Sequence, residues 1–333
     1  MLGNDSYYSS KEFLRILREY EETEKTGNPV LLDADEYTDI AEYYHMKGDT
    51  ERALGVATHA ANIYPGATGP LVFMAREALL VQNNPEKAIL LAEQIDDKTD
   101  FDYLYIMAEI LVVDHQPAAA NEYLLKHLDE IDDNDIDDYV LDVATLFVDY
   151  DLAGYAEQWL ERSRIAPDDE WCVIKSRILI CKHNYSEAEQ MLNDLLDKNP
   201  YDNQLWNYLA GCQMASGKVP ESLSSSEYSL AIQPDDSVAL LAKANALFLL
   251  ENYDDALSFY QRYAAQVKDY ADALPYLAAC CLFLKRRNDY LFYLEKACKE
   301  VPYETSIILG DMYPSDLPPR DYYTYEIKLN KKE

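Results

Sequence analysis

Basic residues are scarce in this 333-residue chain: 29 Lys and Arg stand against 61 Asp and Glu, a formal net charge of −32. That shortage argues against non-specific nucleic-acid binding, because the phosphate backbone rewards Lys and Arg, and equally against docking on anionic lipid. Long apolar runs are missing as well. The longest, Ala273 to Leu284, has twelve residues, includes Pro275 and is too short to span a bilayer, so no membrane insertion is expected. The opening MLGNDSYYSSKEF has no basic segment leading into an apolar one and no small-residue cleavage site, which points to a cytoplasmic protein without a secretory signal. The six cysteines (Cys172, Cys181, Cys212, Cys280, Cys281, Cys298) show no CxxC and no framework spacing, and read as reduced, buried small hydrophobes. With only ten glycines, mostly in turns, there is no phosphate-cradling loop; the five histidines are scattered and none forms HExxH. No catalytic cluster, cofactor or metal is expected, and the chain reads as a non-enzyme.

What is present is a repeat. Hydrophobic residues make up 49% of the chain, enough for a core. A small residue recurs at Ala41, Ala75, Ala108, Ala144, Ser176, Ala210, Ala244 and Ala278, at intervals of 34, 33, 36, 32, 34, 34 and 34. Each sits within an apolar stretch of helical period with bulky neighbours, such as Tyr37, Ile40 and Tyr44 around Ala41. After a short break with turn chemistry (Gly48-Asp49, Asn84-Pro85, Asn184-Tyr185-Ser186, Asn252-Tyr253) a second helical stretch follows, centred on Ala53, Ala88, Ala120, Ala156, Ala188 and Ala256. Pro85, Pro117 and Pro220 suit a first helical turn, where no backbone N–H is needed. Pro65, Pro200, Pro234 and Pro302 close units.

Tyr37-x2-Ile40-Ala41-x2-Tyr44 with Ala53 and Pro65, and Trp206-x2-Leu209-Ala210 with Gly217 and Pro234, resemble the tetratricopeptide repeat family. The resemblance covers about residues 34–302. Ala or Ser replaces the consensus Gly in every unit, the third and fourth units lack the closing proline in register, and one residue is inserted between Ala75 and Ala88. It implies an all-α fold: an α-solenoid, a right-handed superhelix of antiparallel helix hairpins. Eight hairpins are expected at about 34–66, 67–99, 100–134, 135–167, 168–201, 202–235, 236–269 and 270–302. Because one hairpin cannot bury both its apolar stripes, each must stack on the next and the ends need caps. Residues 1–33 should supply an N-terminal capping helix and linker, with Phe13, Ile16 and Leu17 inward. Residues 303–333 should supply a C-terminal cap and a Tyr/Lys tail.

In the family, first helices of successive units line a concave groove for extended peptides or a partner helix. Carried onto this sequence, the candidate contacts are Glu42, Arg76, Tyr105, Glu109, Thr145 and Arg177 in a polar, acidic half, and Asn207 and Asn245 in a neutral half. An asparagine amide can both donate to and accept from a peptide backbone. Leu241, Phe248, Leu282 and Phe283 share that half, and helical periodicity favours them as stacking core. The carboxylate clamp of Lys, Asn and Arg found in chaperone-binding members is not matched, since the set has no lysine and Arg76 and Arg177 are far apart. From Thr99 to Glu161 there are seventeen Asp or Glu and one basic residue, Lys126. Asp133, Asp135 and Asp137 begin with calcium-loop spacing, but Asp138 stands where the loop glycine belongs and Ala144 where the bidentate glutamate belongs. The favoured reading is that these Asp residues cap the following helix; a basic partner drawn by their field is the alternative, and both can hold together. The leading functional expectation is a scaffold that binds a protein or peptide, a basic one included. The alternative is a self-associating homo-oligomer whose tail (Tyr322, Tyr323, Tyr325, Lys328, Lys331, Lys332) docks on a neighbouring copy.

Overall fold

A computed structural model of the protein describes residues 5–8, 10–26, 31–267 and 270–330; among these there are helices and no strand. Lys331 and Lys332 of the tail therefore lie outside the described residues. No described helix is long and apolar enough to cross a membrane. The chain divides into two compact units, Met1–Arg164 and Ile165–Glu333.

In the first unit, α1 (Asp5–Tyr8) and α2 (Lys11–Thr26) precede four hairpins: α3 (Ala34–Met46) with α4 (Thr50–Ile63), α5 (Thr68–Arg76) with α6 (Pro85–Ala92), α7 (Phe101–Val113) with α8 (Pro117–Leu128), and α9 (Ile136–Asp149) with α10 (Ala153–Leu160). The second unit holds α11 (Asp169–Cys181) with α12 (Tyr185–Lys198), α13 (Asn203–Ala215) with α14 (Val219–Ile232), α15 (Ser237–Leu249) with α16 (Tyr253–Gln266), and α17 (Leu274–Phe283) with α18 (Arg287–Glu300). Its end is formed by α19 (Pro302–Leu309) and α20 (Tyr322–Asn330). Within each unit, extensive helix contacts run inside a hairpin and to the next one, as a stacked solenoid requires.

The repeat register explains the packing. All eight small residues of the first helices are fully buried, and so are their second-helix counterparts twelve or thirteen positions on: Ala53, Ala88, Ala120, Ala156, Ala188, Ser222, Ala256 and Tyr290. A small side chain there lets two helix backbones approach while neighbours such as Leu124, Leu192 and Tyr260 fill the gap. Every hairpin turns through one left-handed residue: Gly48, Asn83, His115, Asp151, His183, Gly217, Glu251 and Lys285, with φ between 48° and 80°. The amide after it bonds a carbonyl five residues back, as in Asp49 N to Tyr44 O (2.9 Å) and Asn252 N to Leu247 O (2.9 Å), closing the helix in Schellman fashion. In the second hairpin the inserted residue is absorbed as a π turn, Glu77–Val81, and the matching bond runs six back, from Asn84 N to Ala78 O (2.8 Å).

Much of the acidic excess has a local structural use. Asp33, Asp100, Asp168, Asp202 and Asp236 each cap a first helix through the side chain, and Asp33 forms a reciprocal box with Glu36. The loop before α9 departs from this pattern. Asp135 stands at the N-cap, but its backbone is helical (φ −102°, ψ −4°) rather than extended, so its carboxylate makes no cap bond. Asp137 instead accepts from the Arg164 amide (2.6 Å) and the Ser163 hydroxyl (3.2 Å), while the Arg164 guanidinium reaches Asp133 (3.3 Å). The capping expectation for that loop is thus replaced by a latch.

Further helices of the chain cover the first hairpin of the first unit and the last hairpin of the second. Phe13, Ile16 and Leu17 of α2 are buried, and the hydroxyls of Tyr7 and Tyr8 donate to Asp39 (2.5 Å) and Glu42 (2.7 Å) of α3. At the other end α20 lies on α18; the Tyr322 ring stacks on Tyr313 at 3.9 Å, Arg287 pairs with Glu326 at 2.6 Å, and the hydroxyls of Tyr290 and Tyr313 meet.

Candidate functional site: two grooves on the first helices

In the first unit, α5, α7 and α9 together line a trough of about 470 Å³. The lining follows helical period: Arg76 and Leu80, Tyr105 and Glu109, then Asp142, Thr145, Leu146, Asp149 and Tyr150. Leu80 belongs to the π turn, so the inserted residue also shapes the rim. Hydrogen bonds tie the hairpins together across the floor. Arg76 Nε donates to Glu109 Oε2 at 3.0 Å, the Tyr150 hydroxyl donates to Glu109 Oε1 at 2.8 Å, and the Tyr105 hydroxyl donates to Asp142 Oδ2 at 3.0 Å. Tyr139 stacks on Tyr105 with ring centroids 5.7 Å apart and fixes that ring.

These bonds set the electrostatics. Water reaches Asp142, yet the protein around it withholds enough solvent to raise its carboxyl above the ordinary value of 3.8, an effect the Tyr105 hydroxyl partly offsets. Asp102 is raised for the same reason, against the pull of Arg76, and its Oδ1 has no hydrogen-bond partner among the described residues. The Tyr105 and Tyr150 hydroxyls are pushed up by burial first and by the neighbouring carboxylates second. The lining carries three carboxylates and one guanidinium, already engaged with Glu109.

In the second unit a groove of about 430 Å³ lies on α13 and α15, closed on one side by Tyr263 and Val267. Its wall is apolar: Ala210, Gly211, Met214, Val238, Leu241 and Ala242, with Asn245 as its amide. The Asn245 Oδ1 accepts from the Tyr260 hydroxyl at 2.7 Å, so half of that amide serves the hairpin core. Asn207 stands one turn before Gly211 and donates to the helix-capping Asp236 at 3.1 Å; its Oδ1 is without a hydrogen-bond partner among the described residues.

Of the eight sequence candidates, Arg76, Tyr105, Glu109 and Thr145 meet in the first trough and Asn245 lies in the second. Glu42 holds Tyr8 of the N-terminal cap, and Arg177 stacks its guanidinium over Tyr208, 5.3 Å from the ring centre. Asp142 and Tyr150 join the trough although the candidate set omits them. Their signal is the i, i+3, i+7 and i+8 spacing of Asp142, Thr145, Asp149 and Tyr150 on α9, legible once Thr145 is placed on the groove face. Leu241 lines the second groove, Phe248 and Leu282 are partly buried in the core, and Phe283 is exposed. Among the described residues no group of three or more His, Cys, Asp or Glu is arranged to hold a metal.

Comparison with known proteins agrees with this architecture. No family profile matches the chain. A tetratricopeptide repeat protein of Parabacteroides merdae superposes on it with a TM-score of 0.50 at 14% identity, covering 74% of this chain and 98% of that one. The fold is that of the tetratricopeptide repeat. In sequence, 104 residues are 29% identical to U-box domain-containing protein 70 of Oryza sativa subsp. japonica, and 87 residues are 25% identical to the Hsp70-Hsp90 organizing protein of Triticum aestivum. These matches cover 31% and 26% of this chain but only 13% and 15% of those proteins, so the chain spans a small part of the relatives it resembles.

Proposed function

We propose that the protein is a non-catalytic scaffold that takes an extended protein segment along the first-helix face. The observation that carries this reading is the trough on α5, α7 and α9, where four of the residues that the family resemblance implies for the groove lie side by side on three consecutive hairpins. Thr145, Tyr105 and Asp142 offer side-chain contacts there. In the second unit the Asn245 Nδ2 offers a donor to a peptide backbone beside an apolar wall, whereas the Asn207 Oδ1 is buried and lies outside the groove lining. The chaperone-organising role in the wheat relative's name is not carried over, because the clamp of Lys, Asn and Arg is not matched: Arg76 and Arg177 belong to different units and no lysine lines either groove.

A photo-crosslinking residue tests the reading. Placed at Thr145 or Val238 it should capture protein in extract of the source cells, whereas the same residue at Leu90, exposed on the second helix α6, should not. Equal capture from all three positions, or none, refutes groove binding.

A further inference from the structure

We infer that the trough on α5, α7 and α9 recognises its segment through a cationic side chain, arginine or lysine, paired by Asp142. This rests on the groove reading above and adds the chemistry of the partner.

The charge distribution is the first argument. Residues 1–164 contain 35 Asp or Glu and 12 Lys or Arg, so −23 of the chain's −32 resides in the unit that holds the trough. A field of that sign steers basic segments and repels acidic ones. Global charge alone selects no site, so the local geometry decides. Many carboxylates of this unit are already engaged: Asp33 and Asp100 cap helices, and Asp133 and Asp137 hold Arg164. Within the trough the one cation, Arg76, is held through Nε by Glu109, which Tyr150 fixes from the other side. The lining therefore presents net negative charge with its only guanidinium turned to an internal use.

Asp142 is the carboxylate prepared for an incoming cation. Its Oδ2 is oriented by the Tyr105 hydroxyl, and Tyr105 is only 5% exposed and pinned by Tyr139, so the acceptor is positioned before any ligand arrives. The carboxylate is water-accessible along its free edge, and the solvent withheld by the surrounding protein is the first cause of its raised pKa. Leu80 and Leu146 flank the same space and offer apolar surface to the aliphatic stem of an arginine or lysine, whose head then reaches the carboxylate. At about 470 Å³ the trough admits one such side chain and its backbone, within the range of roughly 300–1,000 Å³ typical of small-group sites.

The test uses the full chain and fluorescein-labelled Gly-Ser peptides with a central Arg-Gly-Arg, the same peptide with citrulline for arginine, and one with glutamate, read by anisotropy in about 150 mM salt, where exposed charges are screened beyond roughly 8 Å. Citrulline keeps the shape of arginine and removes the charge. The arginine peptide should bind roughly ten-fold or more tightly than the citrulline one. Asp142→Asn, which retains an acceptor for Tyr105, should reduce that preference to about two-fold or less. Asp129→Asn with Asp132→Asn, which removes more charge from an exposed loop, should leave it intact. Equal binding of arginine and citrulline peptides, no binding of the arginine peptide up to about 1 mM, or a preference that survives Asp142→Asn overturns the inference. If crosslinks from Thr145 persist in any of those cases, the groove reading stands and only its cationic specificity falls.

Discussion

Glycine occupies the left-handed turn position in only two of eight hairpins, at Gly48 and Gly217; elsewhere an L-residue adopts the same conformation, as Glu251 does at φ 61° and Lys285 at φ 58°. An L-residue there costs about 1–2 kcal/mol because Cβ crowds the following carbonyl. Glycine removes that strain and returns about 0.5–1 kcal/mol through the freedom it adds to the unfolded chain. Glu251→Gly and Lys285→Gly should therefore each stabilise by about 0.5–1 kcal/mol. The reverse change is cleanest at Gly48, where an added Cβ would meet nothing within 4 Å, so Gly48→Ala should cost about 1 kcal/mol by conformation alone. Stacked hairpins open in pieces, so amide hydrogen exchange is the proper assay. Protection of α15 and α16 should rise in Glu251→Gly, and protection of α3 and α4 should fall in Gly48→Ala. Lower protection in the first, or none lost in the second, would refute the claim that backbone strain at this register limits each hairpin.

Three further outcomes are expected. The folded state raises the pKa of Asp142 and so binds its proton more tightly than the unfolded chain does; its contribution to stability falls as pH rises from 3.8 through the raised value. Asp142→Asn should accordingly be more stable than the parent at pH 7 and lose that advantage in acid, and urea midpoints at both pH values read this directly. Ser222 and Ser226 are buried in α14, and their hydroxyls bond only helix carbonyls, Ala210 O and Leu223 O. Ser222→Ala with Ser226→Ala should leave stability equal or raised by up to about 1 kcal/mol by urea unfolding; a clear loss would mean those hydroxyls hold the α13–α14 hairpin. Tyr322, 4% exposed and stacked on Tyr313, closes the C-terminal end, so Tyr322→Ala should cost about 2–4 kcal/mol and speed amide exchange in α17 and α18. If the variant and parent exchange alike, α20 is no cap.

The repeat spacing by itself determined the helix hairpins, because a small residue every 32 to 36 positions, framed by bulky ones at helical period, has one good solution: paired helices in close approach, stacked on their neighbours. The single inserted residue between Ala75 and Ala88 was equally legible as an irregularity, but only the fold turned it into a π turn, since keeping Ala88 buried required the extra residue to be taken up inside the helix. Register also brought Arg76, Tyr105, Glu109 and Thr145 to one face. Partners were a different matter. That Arg76 is tied to Glu109, that Asn245 accepts from Tyr260 and that Glu42 serves the N-terminal cap depends on side chains 15 to 34 residues away in sequence. Which aspartates cap a helix and which latch Arg164 turned on backbone angles at Asp33 and Asp135 that composition does not encode. Periodicity fixes which way a side chain faces, because it is a property of one helix; what that side chain meets is set by how neighbouring hairpins pack, and that only the tertiary structure decided.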